Sequence, residues 1–273
     1  IRLTEKEGDA RRLAEEACQR KIDTVVSVGG DGTLNEIING LAEKEYRPSL
    51  GVIPLGTVND FARALGIPLK AEQAIHLIKE KVKKQVDIGK LNDHYFLNIV
   101  ALGGIAEATA EVSTEMKTTL GSLAYLLEGM KSLRAKTPFS LEIETEGGRW
   151  KGEAFLFLAA LTNSVGGFEK LAPEAEPDDG KLHCFIINEL NLPQLFLIIP
   201  ALLRGELKEH SKVQFFRTDK VRIHSLEPLK ANMDGEEGDE VPLDIQVLPS
   251  HLEIFVPGEE DRDKTKLKGN GGM

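Results

Sequence analysis

Apolar and polar positions follow two different rhythms along this chain, one helical and one alternating. Over residues 9–20, Ala10, Leu13, Ala14 and Ala17 recur on one face at helical spacing, which predicts an amphipathic helix. Residues 24–28, Thr-Val-Val-Ser-Val, predict a short strand of the buried type, followed by a glycine turn and a helix over 34–41. Residues 50–53 predict a second strand, leading into another glycine turn and a helix over 60–65 that Gly66 and Pro68 stop. A further helix is expected over 71–83, with Ala74, Ile75, Leu77, Ile78 and Val82 apolar and a lysine-rich end that complements its dipole. Residues 1–4 read as the end of a strand and the turn after it. This alternation implies a parallel sheet covered by helices.

The character changes near Asp87. Beyond it the expected strands are longer and separated by turns: 95–101, 139–144, 153–161, 182–187, 213–216, 221–224 and 251–256. Glu146-Gly147-Gly148 is a hairpin signal between two of them. Two helices are expected here, over 120–133 and 192–203. The fold class is therefore an α/β N-terminal domain over 1–91 and a mainly antiparallel, β-rich second domain over 92–257. Residues 258–273 are charged and Gly-rich without periodicity, which predicts a disordered tail.

Composition narrows the function. The 273 residues carry a formal charge of −10, so a global pull toward nucleic acid or an anionic membrane is excluded, and any such contact needs a local basic patch. No basic-aromatic pattern suggests nucleic acid. Cys18 and Cys184 stand far apart without metal or redox spacing, which suits a reducing cytosol. No signal peptide opens the chain, and no apolar run approaches the ~20 residues that span a bilayer. A cytoplasmic protein is expected. There is no initiator methionine, and a strand and helix are expected upstream of Ile1. His76, His94, His183, His210, His224 and His251 lack zinc spacing.

Chemistry concentrates in a few segments. Gly29-Gly30-Asp31-Gly32-Thr33 follows a strand and opens a helix, where backbone amides and the helix N-terminus suit phosphate oxygens. Thr33 can cap that helix or bind phosphate. Asp31 would repel phosphates unless a metal ion bridges them, which points to Mg²⁺. An ordinary strand-to-helix turn remains the alternative. Residues 54–63 repeat the design, with Thr57 and Asn59 as N-caps and Asp60 in a first turn. Ligands in open α/β sheets bind at the edge where two such turns meet.

Asp234-Gly235-Glu236 can aim two acids into a cleft, where one could take the proton of an alcohol during phosphoryl transfer. The acid-rich residues that follow leave a solvated loop open as the alternative. Residues 176–181, Glu-Pro-Asp-Asp-Gly-Lys, read as a type I turn or hairpin, or as a turn offering a carboxylate and two carbonyls to Mg²⁺. The helix over 120–133 ends in Lys131, Arg134 and Lys136. The later one runs into Arg204, Lys208 and Lys212. These ends either match helix dipoles or form a basic rim for anionic lipid.

GGDGTLNEIINGL followed by PLGTVNDFARALGIP resembles the bacterial diacylglycerol kinase and lipid kinase family, which includes the sphingosine kinases. The likeness continues through VDIGK, TNSVGGFEKLAP, PDDG and MDGE to about Pro257, and is strongest to the soluble diacylglycerol kinases of Gram-positive bacteria. NAD kinases share a GGDG-type loop but not the GTVNDFAR segment. The resemblance implies a two-domain lipid kinase with ATP in the cleft between its domains. Gly30, Asp31, Gly32, Thr33, Leu34, Asn35, Glu36 and Thr57 would contact ATP, as would Thr4. Asp31, Asp60 and Asp87 would join a water and magnesium network around the phosphates. Glu236 would be the proton acceptor with Asp234 as its partner, and Asp31 completes the catalytic carboxylates. Asp179, with the carbonyls of Glu176 and Lys181, would hold a structural Mg²⁺.

The implied reaction is ATP-dependent phosphorylation of diacylglycerol to phosphatidic acid by a cytoplasmic homodimer in peripheral contact with the membrane. A sphingoid base, another glycerolipid or a polyprenol are the alternative acceptors. A non-catalytic nucleotide-binding regulator is the rival of another class. The family's Asn-Pro-x-Ser-Gly turn is absent from this chain, which bears on ATP affinity.

Overall fold

The computed structural model describes residues 1–103, 138–167, 170–188, 201–202 and 204–258. The helix expected over 120–133, all but the last part of the one over 192–203, and the tail beyond 258 lie outside the described residues. In chain order the elements are α1 (Asp9–Gln19), β1 (Thr24–Gly29), α2 (Asp31–Leu41), β2 (Ser49–Pro54), α3 (Asp60–Ala64), α4 (Ala71–Glu80), β3 (Lys83–Leu91), β4 (His94–Phe96) and β5 (Ile99–Gly103). There follow β6 (Phe139–Thr145), β7 (Gly148–Ala154), β8 (Leu156–Ala160), β9 (Leu182–Ile187), a 3₁₀ turn at Leu207–Glu209, β10 (Val213–Thr218), β11 (Lys220–His224), β12 (Lys230–Met233), β13 (Glu236–Glu240) and β14 (Leu243–Phe255). The chain divides into two compact units, Ile1–Asp87 with Pro249–Met273, and Ile88–Leu248.

In the first unit β1 and β2 pair in parallel, from Thr24↔Ser49 to Gly29↔Pro54, so both end at the same edge. The end of β14 continues this sheet through Ile254↔Leu50. Helix α1 buries Ala10, Ala14 and Cys18, a small-residue stripe one step round from the expected face, with Leu13 and Ala17 only half-buried. Small residues win because α1 crosses α2 closely. A Cβ on Gly40 would lie 2.4 Å from the Arg11 carbonyl oxygen.

Strand β1 is not of the buried type: among the described residues it pairs only with β2, and Val26 and Val28 are 41% and 55% exposed. Residues 1–4 form no strand, because a strand needs a partner and these residues are exposed. The segment after them folds against the first residue of α1 instead, with the amides of Glu5 and Lys6 donating to the Asp9 carboxylate. Helix α4 ends at Glu80, short of residue 83. Lys81 turns left-handed (φ 62°), and the Val82 carbonyl is taken by the Val256 amide at 3.0 Å.

The second unit packs two antiparallel layers face to face. One is the six-stranded sheet β10-β9-β8-β5-β12-β13. The other runs through the first part of β14, then β11, β6 and β7. Val100, Leu102, Phe157, Cys184 and Ile186 from the first meet Leu141, Ile143, Val221, Ile223, Leu243 and Ile245 from the second. The far face of the six-stranded sheet is also covered, by Leu171, Ala172 and Leu207 among others. Burial on both faces explains why β5, β8 and β9 read as continuous apolar runs rather than alternating ones. The Glu146-Gly147 hairpin joins β6 to β7 as expected, with Thr145↔Gly148 closing it. The strand expected over 95–101 is two strands, broken at Leu97 and Asn98. The one expected over 153–161 is broken at Phe155, whose amide donates to the Ile187 carbonyl.

Candidate active site

At the carboxyl edge of β1 and β2 the two glycine turns meet backbone to backbone. A Cβ on Gly56 would lie 2.6 Å from the Gly30 Cα, and one on Gly30 would lie 3.1 Å from the Gly56 Cα. Gly30 is the N-cap of α2, so the free amides of that helix open beside the contact. Asn59, left-handed at φ 56°, ties the turns together. Its amide donates to Asp31 Oδ2 at 2.7 Å, and its side chain exchanges two bonds with the Gly56 backbone at 2.9 and 2.7 Å. Asn59 therefore does not cap α3 with its side chain, as the sequence suggests. Asparagine's tolerance of positive φ was the available signal for its role. Gly29, Gly30, Asp31, Leu34 and Asn59 line one small cleft with Val52, Pro54 and Ala62.

Burial pushes the Asp31 carboxyl above the usual carboxylate range, and the charge of Asp60 adds to this against the opposing Asn59 hydrogen bond. A carboxyl pressed upward by burial and by a second negative charge suits a divalent cation, which would offset that pressure. A raised folded pKa leaves no cost where Asp31 is protonated in both states. The cost develops as pH rises from about 4 through the folded value. Asp31→Asn is accordingly expected to raise the thermal midpoint at pH 7 by roughly 1–4 °C and to leave it unchanged near pH 3, as read by differential scanning fluorimetry across pH.

The other residues expected around ATP take varied places. Thr33 is not the cap of α2. Its hydroxyl lies against Gly29, where a Cβ would come within 2.8 Å of it. Leu34 is buried in the core. Asn35 accepts two bonds from Asn39, and Glu36 accepts the Ala10 amide at 3.0 Å, linking α2 to α1. Gly32, Thr57 and Thr4 are exposed. Asp87 is buried and accepts the amide of Ser250, itself left-handed at φ 48°, at 2.7 Å.

In the second unit Asp234 and Gly235 are the two-residue turn between β12 and β13, both at positive φ (52° and 93°) with Met233↔Glu236 closing the hairpin. Asp-Gly is a strong signal for such a turn, and it marks two strands that the acid-rich sequence hid. Asp234 reaches back to the break between β4 and β5. Its carboxylate accepts the amides of Leu97 at 2.7 Å and of Asn98 and Ile99 at 2.9 Å each. Its own amide donates to the Ile99 carbonyl at 3.0 Å. Glu236, exposed, opens β13 two residues on. The acids after it are not a solvated loop but the strand β13.

The turn over 176–181 is held by Asp179. Its Oδ1 accepts the Lys181 amide at 2.8 Å, and its Oδ2 lies 2.8 Å from Nε2 of the fully buried His183. Burial pushes this carboxyl up, but the His183 bond and the Lys181 amide outweigh it and hold it below the usual range. The Glu176 carbonyl accepts the Asp179 amide at 3.2 Å. A lowered folded pKa gives stability that is present above pH ~4 and lost as pH falls through the folded value. Asp179→Ala is expected to cost about 1–3 kcal/mol at pH 7, with the difference from wild type narrowing as pH falls below about 4, as measured by urea unfolding. Of the basic residues expected to form a rim, Arg204 donates to Glu206 at 2.6 Å and Lys208 pairs with Glu174.

The first unit thus brings two glycine turns together at a parallel sheet edge, and the second is a β sandwich carrying an acidic hairpin. Residues 1–91 match the family described as diacylglycerol kinase catalytic domain, and residues 98–256 match the YegS C-terminal NAD kinase beta sandwich-like domain. A diacylglycerol kinase of Staphylococcus aureus (strain bovine RF122 / ET3-1) is 43% identical over 94% of this chain and 81% of its own length. One of Staphylococcus carnosus (strain TM300) is 43% identical over 97% of this chain and 86% of its own. Two solved structures from Bacillus anthracis str. Sterne share the fold. One has a TM-score of 0.82 at 29% identity, covering 93% of this chain and 83% of that one. The other, described as a diacylglycerol kinase, has a TM-score of 0.73 at 26% identity with the same coverage. The chain belongs to the diacylglycerol kinase family of lipid kinases. Among the described residues no helix is long and apolar enough to cross a membrane.

Proposed function

We propose that this kinase transfers the γ-phosphate of ATP to the hydroxyl of sn-1,2-diacylglycerol, giving phosphatidic acid. The observation that carries the reading is the backbone contact of Gly30 and Gly56 at the N-terminus of α2. Bare backbone there lets amides approach phosphate oxygens, and the helix end favours their charge. The names of the staphylococcal relatives favour diacylglycerol as the acceptor.

In this reading the acceptor oxygen attacks the γ-phosphorus, the bond from that phosphorus to the bridging oxygen of ADP breaks, and the hydroxyl proton passes to the Glu236 carboxylate. Asp234, whose oxygens accept three amides, would fix the turn that carries Glu236 and stand as its close partner. Asp31 and Asp60, with Asp87, would hold Mg²⁺ through waters, and the ion when bound would neutralise phosphate charge. At the second expected site, Asp179 and the Glu176 carbonyl already accept N–H groups but keep lone pairs that a hydrated Mg²⁺ can use. Diacylglycerol resides in bilayers, so the reading includes peripheral contact with a membrane surface, and it includes the homodimer that the family resemblance implies.

The test is radiolabelled ATP with the full-length protein, Mg²⁺ and a panel of lipid alcohols in mixed micelles: diacylglycerol, monoacylglycerol, sphingosine and undecaprenol. Label is expected chiefly in phosphatidic acid. Label in another product would change the acceptor. ATP binding with no label in any lipid would replace the kinase reading with that of a nucleotide-binding regulator.

A further inference from the structure

The grip on Asp234 rests on a short strip of backbone, and that strip has a buried support from elsewhere in the second unit. Asn98 is 5% exposed and its amide is one of the three donors to Asp234. Its side-chain oxygen, on the other side of the same residue, accepts the hydroxyl of Thr162 at 3.0 Å. Thr162 is 1% exposed, and its hydroxyl also lies 3.2 Å from the carbonyl of Ser164, which is fully buried. The Leu161 amide donates to the Asn98 carbonyl at 2.8 Å, so residues 161 and 162 hold Asn98 by both backbone and side chain. Asn232, 8% exposed, accepts the Gly235 amide at 3.0 Å and steadies the turn from beneath.

A buried hydroxyl and a buried amide side chain are costly places to put polarity unless the bond between them is needed. The strand break at Leu97 and Asn98 explains the need. Regular pairing of 95–101 as one strand would turn these amides into the sheet ladder and take them from Asp234. The Thr162 bond fixes the Asn98 side chain, and with it the break that leaves the three amides pointing at one carboxylate. We propose that Thr162 and Asn98 are positioning residues for the Asp234-Gly235-Glu236 turn, acting through the 97–99 backbone to set where Glu236 stands. The proposal rests on the kinase reading for its effect on turnover, but not for its effect on the backbone.

Thr162→Val keeps the shape and removes the hydroxyl, and Thr162→Ser restores it. Each variant of the full-length protein is compared with wild type by steady-state kinetics and by amide hydrogen exchange. Thr162→Val is expected to lower kcat about 10–100-fold while leaving KM for ATP within about twofold, because positional error costs rate more than nucleotide binding. Exchange of the Leu97, Asn98 and Ile99 amides should quicken at least ~10-fold, while the core amides of β9 stay as in wild type. Thr162→Ser should recover both readouts. Wild-type kcat or unchanged exchange at 97–99 in Thr162→Val would overturn the proposal. So would a loss that Ser does not recover, or faster exchange spreading through β9, since either marks an ordinary core residue. If wild type phosphorylates no lipid alcohol, the kinase reading fails, and exchange at 97–99 alone decides the positioning.

Discussion

Glu236→Gln is expected to reduce lipid phosphorylation about 10²–10⁴-fold while the dissociation constant for ATP stays within about twofold of wild type. Glutamine keeps the size and a hydrogen-bond acceptor but cannot take a proton at neutral pH. Asp234 faces inward onto three amides, whereas Glu236 opens β13 on an exposed position. The neighbouring Glu237, ion-paired with Lys230, supplies the control: Glu237→Gln should retain turnover. Single-turnover labelling and calorimetric ATP titration on the same samples separate the chemistry from binding. Retained turnover in folded Glu236→Gln would remove the proton acceptor from this position.

The second large effect is expected at Gly56. An added Cβ meets the Gly30 Cα at 2.6 Å and Asn59 Oδ1 at 2.8 Å, and the first of these is backbone that cannot rotate away. Gly56→Ala should destabilise the first unit by about 1–3 kcal/mol and weaken ATP binding ~10-fold or more, because the turns must part and the amides of α2 shift with them. Gly30→Ala, whose Cβ would stop 3.1 Å from the facing Cα, should do less of both. Thermal unfolding and ATP titration give the ranking. Equal tolerance of both substitutions would mean that the contact does not set the loop.

How legible this was in the sequence depended on where the information lay. The glycine loops, the helices α2 and α3 and the hairpin between β6 and β7 follow from local chemistry: glycines after a short strand, Gly66 and Pro68 as a stop, Glu146-Gly147 as a turn. Strand β1 misled because three valines look the same on an edge as in a core, and only the pairing tells them apart. Strand β12 was hidden because its burial comes with the distant partner β5, and β13 because it is a mostly exposed run of acids paired with β12. The C-terminal end of α4 and the break between β4 and β5 were decided by bonds to the Val256 amide and the Asp234 carboxylate, each well over a hundred residues distant. The carboxylates themselves stood out through their neighbouring glycines, but what each one touches did not.

Anchorage by backbone shapes how such a protein drifts over generations. The partners of Asp234 are main-chain N–H groups at Leu97, Asn98 and Ile99, which persist under any substitution there except proline. Residues 97 and 99 can therefore vary in identity while the anion stays anchored. A comparison of side chains among relatives would register the aspartate and overlook most of what holds it.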